Sequence, residues 1–436
     1  MVTTLVLIFI VAYIFIALEE PTGVNKSAAA LIGAGLLWTV YALASASPDV
    51  VDENLSESLV NTAQIAFFLL GAMTVVEVVD AHDGFAVITS RMRAQTMATL
   101  VWFISFVTFF LSAALDNLTT TIVIVSLVRK LLKEREDRLL VTGMVVIAAN
   151  AGGAWSPIGD VTTTMLWING EVTTAAITSK LILPSLINML VPLMIVSYWL
   201  RGRKVVAPDP VTVGAGDEPI YQTPALERNV MFALGLGTLL AVPVFKGITH
   251  LPPFLGILFG LGLVWAVGDL MHRDKPWEER QQVTIVNALA RIDMSAITFF
   301  VGILLAVATL EHAGVLASVA QWLDTEIGRL DVIVMVFGAV SAIVDNVPMV
   351  AAAMGMYPMD LYPQDSFLWE FMAYCAGTGG SILIIGSAAG VAAMGIEKID
   401  FLWYLRKFSP LAILGYLAGA SIYLLETEAL VRVAGG

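Results

Sequence analysis

Apolar runs long enough to cross a bilayer recur along the whole chain, and no soluble fold accommodates so many. Of the 436 residues, 58% are hydrophobic, and mean hydropathy is +0.84. A window of roughly 18 or more mostly apolar residues crosses the hydrocarbon core at about 1.5 Å per residue. The chain reads as an all-α polytopic membrane protein, with candidate spans near Thr3–Ala17, Ser27–Ala44, Leu59–Val79, Leu140–Ile168, Leu181–Leu200, Val230–Phe245, Pro253–Leu270, Met294–Leu310, Phe367–Gly395 and Phe408–Leu425. The apolar N-terminal stretch has no lysine or arginine before it, so it reads as a first span and not a cleaved signal. The single cysteine, Cys375, excludes an internal disulfide framework, and a net charge of −13 is no nucleic-acid signature.

The chain repeats itself. Leu31-Ile-Gly-Ala-Gly-Leu-Leu-Trp38 returns as Leu258-Phe-Gly-Leu-Gly-Leu-Val-Trp265 at an offset of 227 residues, and His82-Asp-Gly84 returns as His312-Ala-Gly314 at 230. Asp116-Asn117 returns as Asp345-Asn346 at 229, and Gly152, Gly153 and Gly159 return as Gly379, Gly380 and Gly386 at 227. Four blocks in one order at nearly one offset indicate a duplicated architecture. The expected division is a first repeat over 1–200, a solvated linker over 201–228 rich in proline and glycine, and a second repeat over 229–436.

Each repeat holds a segment centred on its Asp-Asn pair, 96–132 and 330–356. If these are re-entrant hairpins, each half has five crossings, and 19 of the 23 basic residues fall on one side of the membrane. That bias marks the rich side as cytoplasmic. The linker is then cytoplasmic, both termini are external, and the acidic loops Ser45–Ser58 and Tyr357–Ser366 lie outside. Five crossings is an odd number, so the second half enters inverted. Inverted repeats are a signature of secondary transporters, with a binding site where the repeats meet near the midplane.

The chemistry concentrates at breaks in the apolar pattern. No ionisable side chain occurs in Val107–Leu115 or Val332–Val344, ahead of the two pairs. A carboxylate in hydrocarbon costs at least about 2.5 kcal/mol, so Asp116 and Asp345 mark function. Asp supplies charge to a dehydrated cation. Asn117, Thr119, Thr120 and Asn346 supply neutral oxygen, and a helix break frees carbonyls. Asn150-Ala-Gly-Gly-Ala-Trp-Ser-Pro-Ile-Gly-Asp-Val-Thr-Thr-Thr164 cannot stay an ordinary helix, so broken helices are expected over 140–168 and 367–395. The first break carries Asn150, Asp160, Thr162 and Thr163. The second half offers Ser341, Ser381 and Ser387, with Ser387 standing where the first half has Asp160. Burial and mutual repulsion favour protonation of such acids, while a bound cation favours their charged forms. Proton and cation would compete for the same oxygens. Glu77, inside the third span, reads either as a proton-handling group or as a structural acid. His82 and His312, at span ends, read as pH sensors or as interfacial anchors.

Leu115-Asp-Asn-Leu-Thr-Thr-Thr121 and the run Asn150–Trp167 strongly resemble the NhaD family of bacterial sodium/proton antiporters. That family is part of the ion transporter superfamily, together with arsenite permeases and divalent-anion/sodium symporters. The resemblance covers nearly the whole chain, and Ser156-Pro-Ile-Gly-Asp-Val-Thr-Thr-Thr164 is its most specific part. It implies scaffold and transport domains in each protomer, a homodimer, and elevator-like alternating access. It implies Na⁺ or Li⁺ exchanged for H⁺ in the cytoplasmic membrane, no cofactor, and a role in alkali or salt tolerance. By motif match it implies a site of Asp116, Asn117, Thr119, Asn150, Asp160, Thr162, Thr163, Ser341, Asp345, Asn346 and Ser381. Na⁺ would bind through the two Asp-Asn pairs, and Glu77 and Ser112 match family positions less closely. One alternative is an arsenite or organic-anion carrier on the same scaffold, although aspartate at both tips repels carboxylates. Another is an intramembrane protease using two aspartates as acid and base, but its Gly-x-Gly-Asp pattern is missing.

Overall fold

A computed structural model describes residues 1–434 except 46, 90–93, 207–222, 277–279 and 282. The basic residues Arg91 and Arg93, and most of the expected linker, lie outside the described residues. The first half contains α1 (Val2–Ala17), α2 (Glu19–Thr22), α3 (Lys26–Ala44), α4 (Pro48–Ala81), α5 (Ala86–Thr89), α6 (Met97–Leu115), α7 (Asn117–Leu131), α8 (Arg135–Ala154), α9 (Val161–Asn169) and α10 (Thr174–Trp199). The second contains α11 (Ala225–Thr249), α12 (Pro253–His272), α13 (Ile285–Arg291), α14 (Met294–His312), α15 (Val315–Glu326), α16 (Leu330–Val340), α17 (Asn346–Met356), α18 (Phe367–Gly379), α19 (Ala388–Glu397), α20 (Phe401–Lys407) and α21 (Ser409–Ala434). Among the described residues, eight helices are long and apolar enough to cross a membrane. The chain is an all-α polytopic membrane protein.

Two features differ from the sequence reading, the start of α4 and the short helices between spans, whereas the arms around the two Asp-Asn pairs lie within the expected bounds. Most of the acidic segment Ser45–Ser58, expected as a loop, is the start of the 34-residue α4. Pro48 at its first position and Asp49 in its first turn suit a helix N-terminus, the one by its fixed φ and the other by its charge. The arms around the first Asp-Asn pair are 19 and 15 residues long, whereas those around the second are 11 and 11. The short helices α13, α15 and α20 lie in stretches read as connections.

Packing is reciprocal between the halves. α3 packs on α14 and α12 on α4, while α1 lies on α3 and α11 on α12. α6 packs on α8 and α16 on α18, while α7 meets α19 and α17 meets α9. The repeated glycines explain part of this. A Cβ on Gly152 would collide with the Phe109 carbonyl oxygen, and a Cβ on Gly379 with that of Gly338, 229 residues further on. A Cβ on Gly153 would meet the Gly159 carbonyl, and a Cβ on Gly380 that of Gly386. Backbones this close leave no room for any side chain, which is how small residues let helices associate in lipid.

Two groups of helices result. One contains α1, α3, α4, α11, α12 and α14. The other contains α6–α10 and α16–α21. They meet chiefly where α14 touches α17, α11 touches α6, and α4 touches α9.

Candidate cation site

Helix ends converge inside the second group. Asp116 is the N-cap of α7, Asp160 of α9, Asp345 of α17 and Ser387 of α19. Each is the last residue of a break in the helical backbone: Asp116 alone, 155–160, 341–345 and 380–387. The four positive dipole ends face a shared interior, a standard way to favour negative charge or a polar ligand.

Asp160 is the hub. It is 1% exposed, and its Oδ1 accepts the Thr162 N–H at 2.8 Å and the Thr162 hydroxyl. The Asn117 amide donates to Oδ2 at 2.5 Å, and the Asn346 amide donates to Oδ1 at 3.5 Å. The asparagines of both Asp-Asn pairs thus reach one carboxylate. Asn117 also donates to Asn150 Oδ1 at 3.0 Å. Asn150 donates to Ser381 Oγ at 2.8 Å and Ser387 Oγ at 2.9 Å, linking the first break to the second. Left unpaired, a buried amide costs about 1–3 kcal/mol, so this chain of bonds fixes the side chains it contains.

Asp116 has φ +120° and ψ 160°, a backbone region that L-residues rarely adopt, at a cost of about 1–3 kcal/mol. Its carboxylate accepts the Thr119 N–H at 2.7 Å and the Thr119 hydroxyl at 2.8 Å. Asp345 accepts a long bond from the Val347 N–H at 3.4 Å and a charged one from the Lys26 ammonium at 3.3 Å. Thr120 lies one residue further along α7, and its buried hydroxyl has no hydrogen-bond partner among the described residues.

Other expected residues hold backbone. The Thr163 hydroxyl donates to the carbonyls of Ser156 and Asp160 at 2.8 and 2.9 Å. Ser341 donates to the Gly338 carbonyl at 2.8 Å, and Ser112 to that of Ala149 at 2.6 Å. These bonds keep the breaks open without exposing orphan carbonyls. Ser387 also caps α19 through the Gly390 N–H at 3.1 Å.

Glu77 stands apart, on α4, paired with Arg291 at 3.1 Å. His82 is buried at the end of α4, with its Nε2 2.8 Å from His272 Nε2. Burial pushes the His82 imidazole below its ordinary value, so the ring is neutral through the alkaline range. His312 bonds Ser58 Oγ at 3.1 Å. It helps line a cavity of about 120 Å³ between the two helix groups, with Glu57, Asn61, Asn169 and Glu311. Among the described residues, no group of three or more His, Cys, Asp or Glu side chains is arranged to hold a metal ion. An ion at the tips would draw on asparagine, threonine and backbone oxygens beside the carboxylates.

Sequence reasoning missed Lys26, His272 and Lys246. Lys246 on α11 donates to the Trp167 carbonyl at the end of α9 and sits 4.5 Å from the centre of that indole ring.

Comparisons with known proteins agree on a transporter. A family model described as a citrate transporter matches residues 13–377. Sodium/proton antiporter 1 of Arabidopsis thaliana is 49% identical over 420 residues, 96% of this chain and 71% of that protein. Sodium/proton antiporter 2 of the same plant is 46% identical, covering 96% and 98%. The Na⁺/H⁺ antiporter NhaD of Vibrio cholerae is 32% identical over 449 residues, covering 96% and 90%. The crystal structure of the Alcanivorax borkumensis YdaH transporter superposes with a TM-score of 0.58 at 12% identity, covering 92% of this chain and 98% of that one. That likeness speaks to fold alone.

Proposed function

From a chain that belongs to the NhaD family of sodium/proton antiporters, a group of transporters and not enzymes, we propose an exchanger whose buried carboxylates bind Na⁺ and H⁺ in turn. Secondary Na⁺/H⁺ exchange is the activity its relatives carry in their names. The observation that carries the finer reading is the meeting of Asn117 and Asn346 on Asp160, between Asp116 and Asp345.

Buried Asp160 and its half-buried neighbours Asp116 and Asp345 repel one another when all three are charged. A proton on one of them relieves that repulsion, and so does a dehydrated Na⁺ held by several oxygens. The two states exclude each other, so loading one ligand expels the other. Li⁺, with the same charge and demand for oxygen, fits the same oxygens. Alternating access follows if the group α6–α10 with α16–α21 slides against α3, α4, α12 and α14 as a body. The glycine contacts tie that group internally, and its contacts with the neighbouring group run chiefly through α17 on α14, α6 on α11 and α9 on α4. In this reading the two repeats are inverted, Asp116 and Asp345 approach the midplane from opposite sides, the linker is cytoplasmic, and the exposed scaffold face pairs with a second protomer.

The test is proton release from acidified everted vesicles. Addition of Na⁺ or Li⁺ should discharge the gradient. No response to either ion from neutral to strongly alkaline pH would overturn exchange. Citrate and arsenite uptake are the rival measurements, and transport of either without Na⁺-driven proton movement would replace this reading.

A further inference from the structure

The two tips carry the same dipeptide in different surroundings, and the difference lies in one lysine. At the offset of 229, Thr119 becomes Pro348 and Thr120 becomes Met349. Among the described residues, no hydroxyl is hydrogen-bonded to the carboxylate of the second tip. Asp345 is served instead by the Lys26 ammonium at 3.3 Å, from a residue 319 positions away on the other helix group.

Lys26 is the first residue of α3. A cation there opposes the positive end of the helix dipole, so helix stability does not explain its presence. Its base is pinned to the scaffold. Asn25 caps α3 through the Ser27 N–H at 2.9 Å, and the Ser27 hydroxyl donates to the Ser295 carbonyl at 2.6 Å. Ser295 Oγ donates back to Asn25 at 3.1 Å. The ammonium lies 4.6 Å from the centre of the Phe299 ring, also on α14. Glu19 accepts the Lys26 N–H at 3.1 Å, and Asp293 adds its field. The side chains of Lys26 and Asp345 are 31% and 22% exposed, so water and small ions reach the pair.

We propose that the Lys26 ammonium is a tethered stand-in for the transported cation: it occupies Asp345 when the site is empty and must be displaced for Na⁺ to bind. This rests on the exchange function argued above and goes beyond it. A carboxylate cannot hold a scaffold ammonium and a dehydrated Na⁺ in the same lone pairs. Lys26 therefore competes with Na⁺ in this conformation and not in one where α17 has moved from the start of α3. Asp116 has no such competitor among the described residues.

The experiment is a Na⁺ titration of proton release in everted vesicles carrying wild type, Lys26→Gln or Lys26→Arg. Everted vesicles present the cytoplasmic face, where the charge bias puts Lys26. The glutamine variant should lower the apparent KM for Na⁺ about two- to tenfold, the range a partly exposed ion pair supports. The arginine variant, permanently charged and able to bind a carboxylate through two N–H groups, should match or exceed the wild-type KM. A residue that only braces the fold would instead change Vmax or yield alike in both variants and leave KM alone, and that result would overturn the proposal. Should a variant insert but not turn over, the Na⁺ concentration giving half-maximal thermal stabilisation of the purified protein reads the same competition. It should fall for Lys26→Gln, and an unchanged value sinks the idea. A wild type that ignores Na⁺ defeats the exchange reading itself, whereas an active wild type with an unmoved KM in both variants defeats only the role of Lys26.

Discussion

The tip at Asp116 is self-contained, and the tip at Asp345 is not. Asp116 draws on its own helix, through two bonds from Thr119, and stores strain at φ +120°. Asp345 depends on the other helix group, through Lys26 and through the contact of α17 with α14, which α7 does not match against α4. Duplicated sequence thus gave two unlike acids. One is set by local geometry within its own helix group. The other depends on where that group stands.

The largest expected effect treats the tips alike: Asp116→Asn and Asp345→Asn should each reduce Na⁺-driven proton release at least about 100-fold, some 2.7 kcal/mol in binding terms, while inserted protein stays at wild-type amounts. Vesicle activity above that limit in either variant would remove its carboxylate from the site. Next come the asparagines, where the tips should part. Asn117→Ala removes a 2.5 Å bond to Asp160, and Asn346→Ala a 3.5 Å one. A bond to a charged group is worth about 1.5–3 kcal/mol at good geometry, so apparent Na⁺ affinity should fall further for Asn117→Ala, and equal losses would erase the distinction. Thr119→Val should weaken Na⁺ binding about tenfold, a loss with no analogue at Pro348.

The smallest effect concerns the second contact between the helix groups, where Lys246 meets the end of α9. Nearby Glu171 is buried, which raises its carboxyl from 4.5 to about 7. Below pH 4.5 both folded and unfolded chains hold this proton, and it contributes nothing. From there to pH about 7 the folded chain holds more of it, so stability falls as pH rises, and the full penalty persists above. Glu171→Gln should remove that slope and raise the melting temperature above neutrality by on the order of a degree or two. A gain confined to acid pH would have the wrong sign.

Much of this was legible in the chain. The Asp-Asn pairs, the glycine triplets and Asn150 stood out because lipid tolerates polar atoms and helix breaks only where something holds them. Their convergence on Asp160 was less visible, because nothing in sequence states which amide meets which carboxylate. Lys26 was legible only as one more cytoplasmic charge. Its meaning lies in a partner 319 residues away, and no local pattern encodes that. His82 was read by its recurrence at a span end, and its actual partner, His272, lies outside the repeated block. The start of α4 was misread because an acidic, polar stretch looks like a loop until its proline and aspartate are weighed as helix-starting signals.

The bond between Asn150 and Ser381 with Ser387 has a consequence for biogenesis. Asn150 leaves the ribosome more than two hundred residues before its acceptors. Until they arrive, a primary amide sits in an apolar bundle with part of its valence unmet. The first half made alone should therefore be a client for membrane quality control, and co-expression of the second half as a separate polypeptide should rescue it.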